Sequence, residues 1–347
     1  MLTRLSVEGH EEVWRVEDTE AGLTGFIALH STRLGPAAGG LRMHRYTNED
    51  AALADVLNLS RGMSFKNAAA NLPLGGGKAV IMGDADTKTP AMLYAMGRAI
   101  NHLQGRYWTA EDMGMSPADM AHIARETPYV AGRDSGPFAS GDPSPVTAQG
   151  VIDAMRVGAR HVFGSDDLGG RHVAVQGLGH VGWHLCRLLH EAGARLTVAD
   201  MDPTRSAQTC TDFDADAGDP DTIHAIGADI FAPCAIGGIL SEASIPAIRA
   251  KLIAGAANNQ LATPDVADKL HERGILYLPD YVANGGGIIN VAAEILRIGA
   301  GDGWVAQHLD SLARTIDRIL ARARAEDRSP AHLADLIVGE RLLPRAG

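Results

Sequence analysis

The second half of the sequence alternates short apolar runs with helical patterns, and this alternation constrains the fold more than any other feature. The segments between the apolar runs have the spacing of amphipathic helices. Strands separated by helices in this way form a parallel sheet covered by helices. We therefore predict an α/β fold, with strands near residues 172–176, 195–199, 229–232, 251–254 and 275–278.

The first of these runs is followed by GLGHVG, the pattern of a dinucleotide-binding turn. Such a string arises easily by chance in a chain with 40 glycines, so its context carries the argument. A strand precedes it, a helical pattern follows it, and the next strand ends at Asp200, where a carboxylate can bind the ribose hydroxyls of NAD. Asp200 favours NAD over NADP, although Arg205 lies nearby. The cofactor residues expected from this motif are Gly177, Leu178, Gly179, His180, Val181, Gly182 and Asp200.

A chain of 347 residues is long enough for two domains. Residues 126–145 are rich in Gly, Pro, Ser and Asp, which places the hinge near there. We predict two domains around a cleft. Residues 1–143 form an α/β substrate-binding, catalytic and oligomerisation domain, which the C-terminal helix at about 325–347 rejoins. Residues 144–324 form a Rossmann-type NAD-binding domain with a parallel sheet.

The composition argues against several classes of partner. A net charge of −11 disfavours nucleic acid and anionic membranes, because either would need a basic surface. The three cysteines are widely spaced and odd in number, which suits a reducing compartment and matches no metal-ligand spacing. The acidic N-terminus does not have the pattern of a signal peptide, and no apolar stretch is long enough to cross a membrane. These features predict a cytoplasmic protein.

Lys78 follows three glycines and precedes the apolar run AVIM, an arrangement that suggests an unusual lysine. Gly75–Gly77 leave its approach uncovered, and the run after it resembles a buried strand. Partial desolvation and the like charge of Lys66 would both favour a neutral amine that can act as a base. The alternative is that the glycines form a surface turn and that Lys78 is a solvated strand end.

The helices of the first half are predicted from caps and breakers. Thr47 and Asp50 form a capping box for a helix that Gly62 stops, and MSFKNAAAN forms a separate helix. Thr89 begins a further helix, and Ser116 begins another.

Lys66, Lys78 and Asp112 together suggest chemistry on an amino acid. One lysine can hold a substrate carboxylate while the other does proton chemistry, and a carboxylate can then relay the proton. With a nicotinamide present, the natural reaction is hydride removal from the α-carbon. Each residue taken alone could equally be a surface charge or part of an ion pair.

At these segments the sequence resembles the glutamate, leucine, phenylalanine and valine dehydrogenase family, and the leucine and phenylalanine branches most closely. The resemblance extends over nearly the whole chain, from GPAAGGLRM through MSFKNAAANLPLGGGK, TAEDMG, GDPSPVTAQGV and VAVQGLGHVG to APCAIGGIL, AGAANNQL and PDYVANGGGIINV. It implies NAD-dependent, reversible oxidative deamination of an L-amino acid to the 2-oxo acid and ammonia.

The resemblance also implies roles for individual residues. Lys78 would be the catalytic base, Lys66 would hold the substrate carboxylate, and Asp112 would shuttle the proton. Substrate-binding positions would include Gly39, Gly40 and Asn259. Cofactor-binding positions would include Thr147, Cys234, Ala235 and Asn258.

The preferred amino acid is apolar by the same resemblance, because Ala38 stands where the glutamate enzymes have a lysine. The side-chain pocket would be lined by Ala38, Gly39, Met63, Ala110, Ile288 and Val291, although each could be a plain core position. We favour leucine, isoleucine and valine over phenylalanine, with phenylalanine dehydrogenase as the alternative. Overlapping substrates are expected, since one or two methylenes discriminate weakly.

A hypothesis from another class is a dinucleotide-binding regulator that has kept the fold and lost the chemistry. The presence of Lys66, Lys78 and Asp112 argues against it. The family forms homo-oligomers, often dimers or octamers, so the partners implied are copies of this chain, a small amino acid or 2-oxo acid, and ammonia.

Overall fold

The computed structural model describes residues 1–133, 135–136, 138–235, 237–299 and 301–342. The chain divides into two compact units. Unit 1 comprises Met1–Pro143, Ile288–Val305 and the chain from Arg341 onward, and unit 2 comprises Ser144–Gly287 and Ala306–Glu340. The sequence predicts that residues 325–347 rejoin the first domain, whereas the longest segment that returns to unit 1 is Ile288–Val305. The limits of the functional domains therefore stay a prediction.

Unit 1 is built on a mixed seven-stranded sheet. Its strands are β1 Leu2–Leu5, β2 Glu12–Asp18, β3 Leu23–Ser31, β4 Ala37–Ala38, β5 Leu41–His44, β6 Gly75–Met82 and β7 Tyr107–Trp108. The strand order is β1-β2-β3-β6-β4-β7, and β5 also pairs with β6. The pairs β1–β2, β2–β3 and β3–β6 are antiparallel, whereas β4 and β5 run parallel to β6. The strand that carries Lys78 is thus central.

Helices cover both faces of this sheet. They are α1 Glu49–Ala69, α2 Pro90–His102 and α3 Pro117–Ile123. A further helix, α9 Gly286–Ile295, belongs to unit 1 from Ile288 onward. Val80 packs with Val56 of α1, whereas Ile81 packs with Met96 of α2. Because successive side chains of a strand point to opposite faces, Lys78 shares the α1 side with Val80.

The helix boundaries of unit 1 differ from the predicted ones in two places. Asn48, not Thr47, caps α1 and accepts a hydrogen bond from the Ala51 N–H. The helix does not stop at Gly62 but continues to Ala69. A glycine inside a helix costs only about 1 kcal/mol, which tertiary packing of α1 against the sheet readily offsets. Thr89 and Ser116 cap α2 and α3 as predicted.

Unit 2 contains a six-stranded sheet in which every pair is parallel. Its strands are β8 His172–Gln176, β9 Arg195–Ala199, β10 Asp216–Ala217, β11 Ile230–Pro233, β12 Leu252–Ile253 and β13 Leu276–Tyr277. Five of the six were predicted, and β10 was missed because its two residues are exposed and lack an apolar run. The predicted α/β class with a parallel sheet is confirmed.

The strand order of unit 2 is β10-β9-β8-β11-β12-β13. The chain therefore builds the sheet outward in one direction from β8 and then in the other direction from β11. Ligands of such sheets bind where this direction reverses, at the carboxyl ends of the two central strands. The helices of this unit are α4 Ser144–Phe163, α5 His180–Glu191, α6 Pro203–Phe213, α7 Val266–Glu272, α8 Asp280–Ala283, α10 Trp304–Glu326 and α11 Pro330–Leu342. Helix α10 begins two residues inside unit 1, and the last two residues of α11 also belong to unit 1.

Candidate active site

Lys78 is a buried lysine that forms an ion pair with Asp112. Its Nζ lies 2.6 Å from Asp112 Oδ2, and only 6% of the residue is exposed. The backbone on both sides is held in β6, where Lys78 pairs with Ala28 of the neighbouring strand. The two groups that the sequence analysis assigned to proton transfer are thus in direct contact.

The environment of Asp112 keeps this carboxylate ionised. Burial by itself raises the pKa of the carboxyl group, but the positive charges of Lys78 and Arg42 outweigh it. A hydrogen bond from Lys78 and one from the backbone of Met113 act in the same direction, and the pKa falls to about 2. Asp112 is therefore ionised in the resting protein and acts as a hydrogen-bond acceptor.

Arg42 is a site residue that the sequence analysis missed. Its Nε lies 3.3 Å from Asp112 Oδ2, and its other end donates to Asp55 at 3.2 Å. Tyr46 also donates to Asp55, at 2.6 Å. Although burial lowers the pKa of the guanidinium, the two carboxylates raise it overall. The sequence signal for it was its place two residues after Gly40 in GGLRM.

The three glycines before Lys78 lie inside β6, neither in a turn nor beside an open approach, as the sequence analysis had considered. Each is buried. A Cβ on Gly76 would overlap Ser64 of α1, and a Cβ on Gly77 would lie 2.7 Å from the Tyr107 ring. The glycines therefore let α1 and β7 approach the strand closely, and this packing positions the backbone of Lys78.

Several predicted substrate residues gather around β6. A Cβ on Gly39 would clash with the Gly77 carbonyl and would lie 2.9 Å from Met63 Cγ. A Cβ on Gly40 would lie 2.8 Å from Asp112 Cβ. Ala38, fully buried in β4, pairs with Gly76. The structure thus brings these small residues and Met63 together beside the Lys78 strand.

Lys66 is half-buried in the last turn of α1. It follows Met63 by three residues, so both lie on the same side of the helix. The next residue, Asn67, is buried and donates a 2.5 Å hydrogen bond to the Gly75 carbonyl. The end of α1 that carries Lys66 is therefore anchored to the start of β6.

The remaining predicted pocket residues belong to two further segments of unit 1. Ala110 follows β7 and is buried, and its Cβ lies 3.8 Å from the Cβ position of Gly132. Ile288 and Val291 lie on α9, three residues apart and so on one side of the helix. One turn further on, Glu294 binds the backbone of Gly132 at 2.8 Å.

In unit 2 the glycine-rich turn lies at the carboxyl ends of β8 and β11, where the sheet reverses direction. Gly177 has φ +95°, and its Cβ position would lie 2.7 Å from the Ala235 Cβ. A Cβ on Gly182 would overlap the Gly177 carbonyl and lie 3.5 Å from Cys234 Cβ. These contacts explain the spacing of the glycines and bring Cys234 and Ala235 to the turn.

Asp200 lies at the end of β9 beside the same turn. One of its carboxylate oxygens accepts a hydrogen bond from the Leu178 N–H at 2.6 Å, and the other accepts one from the Asp202 N–H at 2.9 Å. The two bonds fix the direction of the carboxylate at the place where the motif predicts the adenosine ribose.

The turn and α5 fit the pyrophosphate of a dinucleotide. Gly179 caps α5 without a side-chain hydrogen bond, and a Cβ there would meet nothing within 4 Å among the described residues. The N-terminus of α5, with exposed His180 and half-buried Val181 in its first turn, therefore has space in front of it. Backbone N–H groups at such a terminus bind phosphate.

A second polar group in unit 2 surrounds Asn284, which the sequence analysis did not single out. This buried side chain donates to Asn258 Oδ1 at 2.8 Å, while its own Oδ1 has no hydrogen-bond partner within the described part of the chain. Two residues on, the Cβ position of Gly286 lies 3.0 Å from Thr147 Cα. Asn259 is exposed, with φ +52°. Thr147 and Asn258 are thus linked through residues 284–286.

Comparison with known proteins finds relatives that match nearly the whole chain. Residues 10–129 match the family model described as Glu/Leu/Phe/Val dehydrogenase, dimerisation domain, and residues 204–332 match the one described as Glutamate/Leucine/Phenylalanine/Valine dehydrogenase. A leucine dehydrogenase from Geobacillus stearothermophilus is 48% identical over 334 residues, which cover 96% of this chain and 90% of that protein. A valine dehydrogenase from Streptomyces virginiae is 46% identical, over 96% of this chain and 94% of that one. The crystal structure of L-tryptophan dehydrogenase from Nostoc punctiforme is similar with a TM-score of 0.84 at 39% identity and covers 96% of both chains.

Proposed function

This chain belongs to the glutamate/leucine/phenylalanine/valine dehydrogenase family and is an amino acid dehydrogenase with NAD as its cofactor, and from that premise we propose its substrate and its catalytic residues. The substrate is an apolar L-amino acid, with leucine, isoleucine and valine favoured. The observation that carries the proposal is the ion pair of buried Lys78 with half-buried Asp112 beside the small residues Gly39 and Gly40.

The proposed cofactor residues are those of unit 2. Gly177–Gly182 and the start of α5 would hold the pyrophosphate, and Asp200 would hold the adenosine ribose. Thr147, Asn258 and Asn284 would hold the nicotinamide end, because Asn284 Oδ1, which has no hydrogen-bond partner among the described residues, suits the carboxamide. Cys234 and Ala235 would line the turn. When bound, NAD accepts a hydride from the α-carbon.

In the proposed mechanism, unit 1 binds the amino acid and moves its protons. Lys66 holds the substrate carboxylate as a fixed charge, and Asn259 of unit 2 binds the substrate amino group. Loss of a hydride from the α-carbon and of a proton from the amine leaves an imine. Lys78 removes a proton from a water molecule that attacks the imine carbon, and Asp112 relays the proton. The carbinolamine then collapses to the 2-oxo acid and ammonia.

The preference for an aliphatic side chain is supported by the residues around it. Ala38, Gly39 and Ala110 are small and apolar, and Met63 closes one side of Gly39. Arg42 is paired with Asp55 and Asp112, Lys78 is paired with Asp112, and Lys66 is assigned to the α-carboxylate of the substrate, so none of these cations is assigned to a carboxylate side chain. We assign the remaining wall of the side-chain pocket to Ile288 and Val291.

Replacing Lys78 tests the catalytic assignment. We expect Lys78→Ala to lower kcat by at least about 10²-fold, the scale of a lost general base, while NAD binding measured by calorimetry is unchanged. The matched control is Lys88→Ala, because Lys88 is also a paired lysine of unit 1 but binds Asp119. Wild-type turnover by the Lys78 variant would refute the mechanism.

A substrate panel tests the choice of amino acid. NADH formation is measured with L-leucine, L-isoleucine, L-valine, L-phenylalanine, L-tryptophan and L-glutamate. The proposal expects the highest kcat/KM among the first three, with overlaps because single methylenes contribute only about 1–3 kcal/mol. A preference for phenylalanine or tryptophan would overturn the substrate choice and leave the reaction class standing.

We also propose that the enzyme is a cytoplasmic homo-oligomer, a dimer or an octamer. The match of residues 10–129 to a dimerisation domain supports self-association. The three cysteines are free, which suits a reducing compartment. Among the described residues, no helix combines the length and apolarity needed to cross a membrane. Light scattering after size-exclusion chromatography distinguishes the two assemblies, and a monomer would refute both.

A further inference from the structure

Glu294 of α9 is a buried carboxylate that the proposed reaction does not use. Its side chain is 1% exposed, and its two oxygens accept five hydrogen bonds from the described residues of segment 132–140. Oε2 accepts from the N–H groups of Gly132 at 2.8 Å, Arg133 at 3.3 Å and Ser140 at 3.2 Å, and from Ser140 Oγ at 2.9 Å. Oε1 accepts from Arg133 Nε at 2.7 Å.

The same helix makes a second contact with this segment. Asn290, one turn before Glu294, donates through Nδ2 to the Ser140 carbonyl at 3.0 Å. Thus α9 binds the segment at both ends, at residues 132–133 and again at Ser140. A carboxylate suits this task because several N–H donors converge on one acceptor, and hydrogen bonds to a charged acceptor are stronger than neutral ones.

Residues of the proposed side-chain pocket lie on α9 and next to segment 132–140. On the α9 side, Val291 precedes Glu294 by three residues and Ile288 precedes Val291 by three. On the other side, the Cβ position of Gly132 lies 3.8 Å from the Ala110 side chain. The Ala131 N–H donates to the Thr109 carbonyl at 2.8 Å, which attaches the segment to the strand that leads to Ala110.

We propose that Glu294 is a positioning residue that sets the width of the side-chain pocket by holding the α9 wall in place against the wall at Ala110. The inference rests on the proposed function, which assigns Ile288, Val291 and Ala110 to the pocket. Loss of the carboxylate leaves the N–H groups of buried Gly132 and half-buried Ser140 without this acceptor, so the segment and α9 separate. A wider pocket then discriminates less by side-chain length.

The measurement is the ratio of kcat/KM for L-leucine to kcat/KM for L-2-aminobutyrate, whose shorter side chain reaches the walls less. We expect Glu294→Ala to lower this ratio about tenfold, chiefly through the KM for leucine. Glu294→Gln keeps the shape but has one acceptor oxygen, so its amide nitrogen faces either Arg133 or the backbone donors. We expect it to lower the ratio about threefold.

Glu12→Gln is the matched control, because Glu12 is another buried, ion-paired carboxylate of unit 1 and lies on β2, which carries no pocket residue. A general loss of stability would lower activity on both substrates equally and leave the ratio unchanged. The inference is overturned if the ratio stays within twofold of wild type in both Glu294 variants, or in Glu294→Gln alone should Glu294→Ala not fold.

Hydrogen exchange separates this inference from the proposed function. Peptides covering residues 130–140 are expected to exchange at least about tenfold faster in Glu294→Gln than in Glu12→Gln, with no substrate present. Equal exchange in the two variants would overturn the role of Glu294. A wild-type protein that oxidises no amino acid of the panel would instead refute the proposed function.

Discussion

The strongest stability prediction concerns the Lys78–Asp112 pair. In Asp112→Asn the 2.6 Å partner of Lys78 loses its charge, and the 3.3 Å contact with Arg42 loses it too. Arg42 still has the carboxylate of Asp55 as a partner, whereas the buried amine of Lys78 is left next to a neutral amide. Removing one member of a buried pair is costly because the other charge stays desolvated.

The magnitude follows from the two groups. Lowering the pKa of Asp112 from an ordinary 3.8 to about 2 corresponds to about 2 kcal/mol of favourable interaction. The penalty of leaving Lys78 unpaired has an upper limit, because removing the proton from an ordinary lysine at pH 7 costs about 5 kcal/mol. We therefore expect Asp112→Asn to lower the free energy of unfolding by about 2 to 5 kcal/mol at pH 7.

The stability cost of Asp112→Asn depends on the pH at which unfolding is measured. Because the pKa of Asp112 is lower in the folded protein than in the unfolded one, its contribution is complete above about pH 4 and is lost as the pH falls through about 2. Urea unfolding at pH 7, followed by circular dichroism, thus captures the whole effect. The exposed pair of Asp18 and Arg98 is the control, and Asp18→Asn should change stability by about 0.5 kcal/mol or less.

A double-mutant cycle decides whether the pair itself is responsible. In the Lys78→Met background, Asp112→Asn no longer leaves an unpaired buried amine, so its cost should fall by at least about 1 kcal/mol. Activity should fall about 10²-fold or more in each single variant. Additive costs within about 0.5 kcal/mol would refute the reasoning.

Two further predictions concern the substrate side and the cofactor side of the site. Gly39→Ala places a methyl group against the Gly77 carbonyl and 2.9 Å from Met63 Cγ. We expect it to lower the free energy of unfolding by about 1–3 kcal/mol and to lower kcat/KM for leucine. An unchanged melting temperature would contradict this packing. Asp200→Ser removes the carboxylate that repels a 2′-phosphate, so the ratio of kcat/KM for NADP to kcat/KM for NAD should rise at least about tenfold. If the ratio does not rise, another group, such as Arg205, governs the choice between NAD and NADP.

Local features of the fold were predictable because their causes lie within a few residues of one another. The caps Thr89 and Ser116, five strands of the parallel sheet and the GLGHVG turn all depend on neighbouring side chains or on a short period. The dinucleotide motif with Asp200 predicted the NAD cofactor, the family resemblance added the enzyme class, and the comparisons confirmed both. The residue-by-residue roles at the site stay predictions.

Long-range packing accounts for the predictions that failed. The glycine at position 62 and the threonine at position 47 looked like helix signals, but α1 is defined by its burial against the sheet and by Asn48. The strand β10 has no apolar run and exists only because β9 offers it hydrogen bonds. A surface turn was the alternative interpretation of Gly75–Gly77, and contacts with α1 and β7, which require glycine inside a strand, rule it out.

The sequence by itself determined that this chain has an α/β fold with a dinucleotide-binding turn, and it marked Lys78 as a candidate base and Lys66 as a candidate carboxylate-binding residue. Only the tertiary structure decided which charges meet. Arg42 lies 70 residues before Asp112 in sequence, and Glu294 lies 162 residues after Gly132, yet each pair is in hydrogen-bond contact. Such contacts follow from the order and direction of strands and helices, which a one-dimensional pattern does not encode.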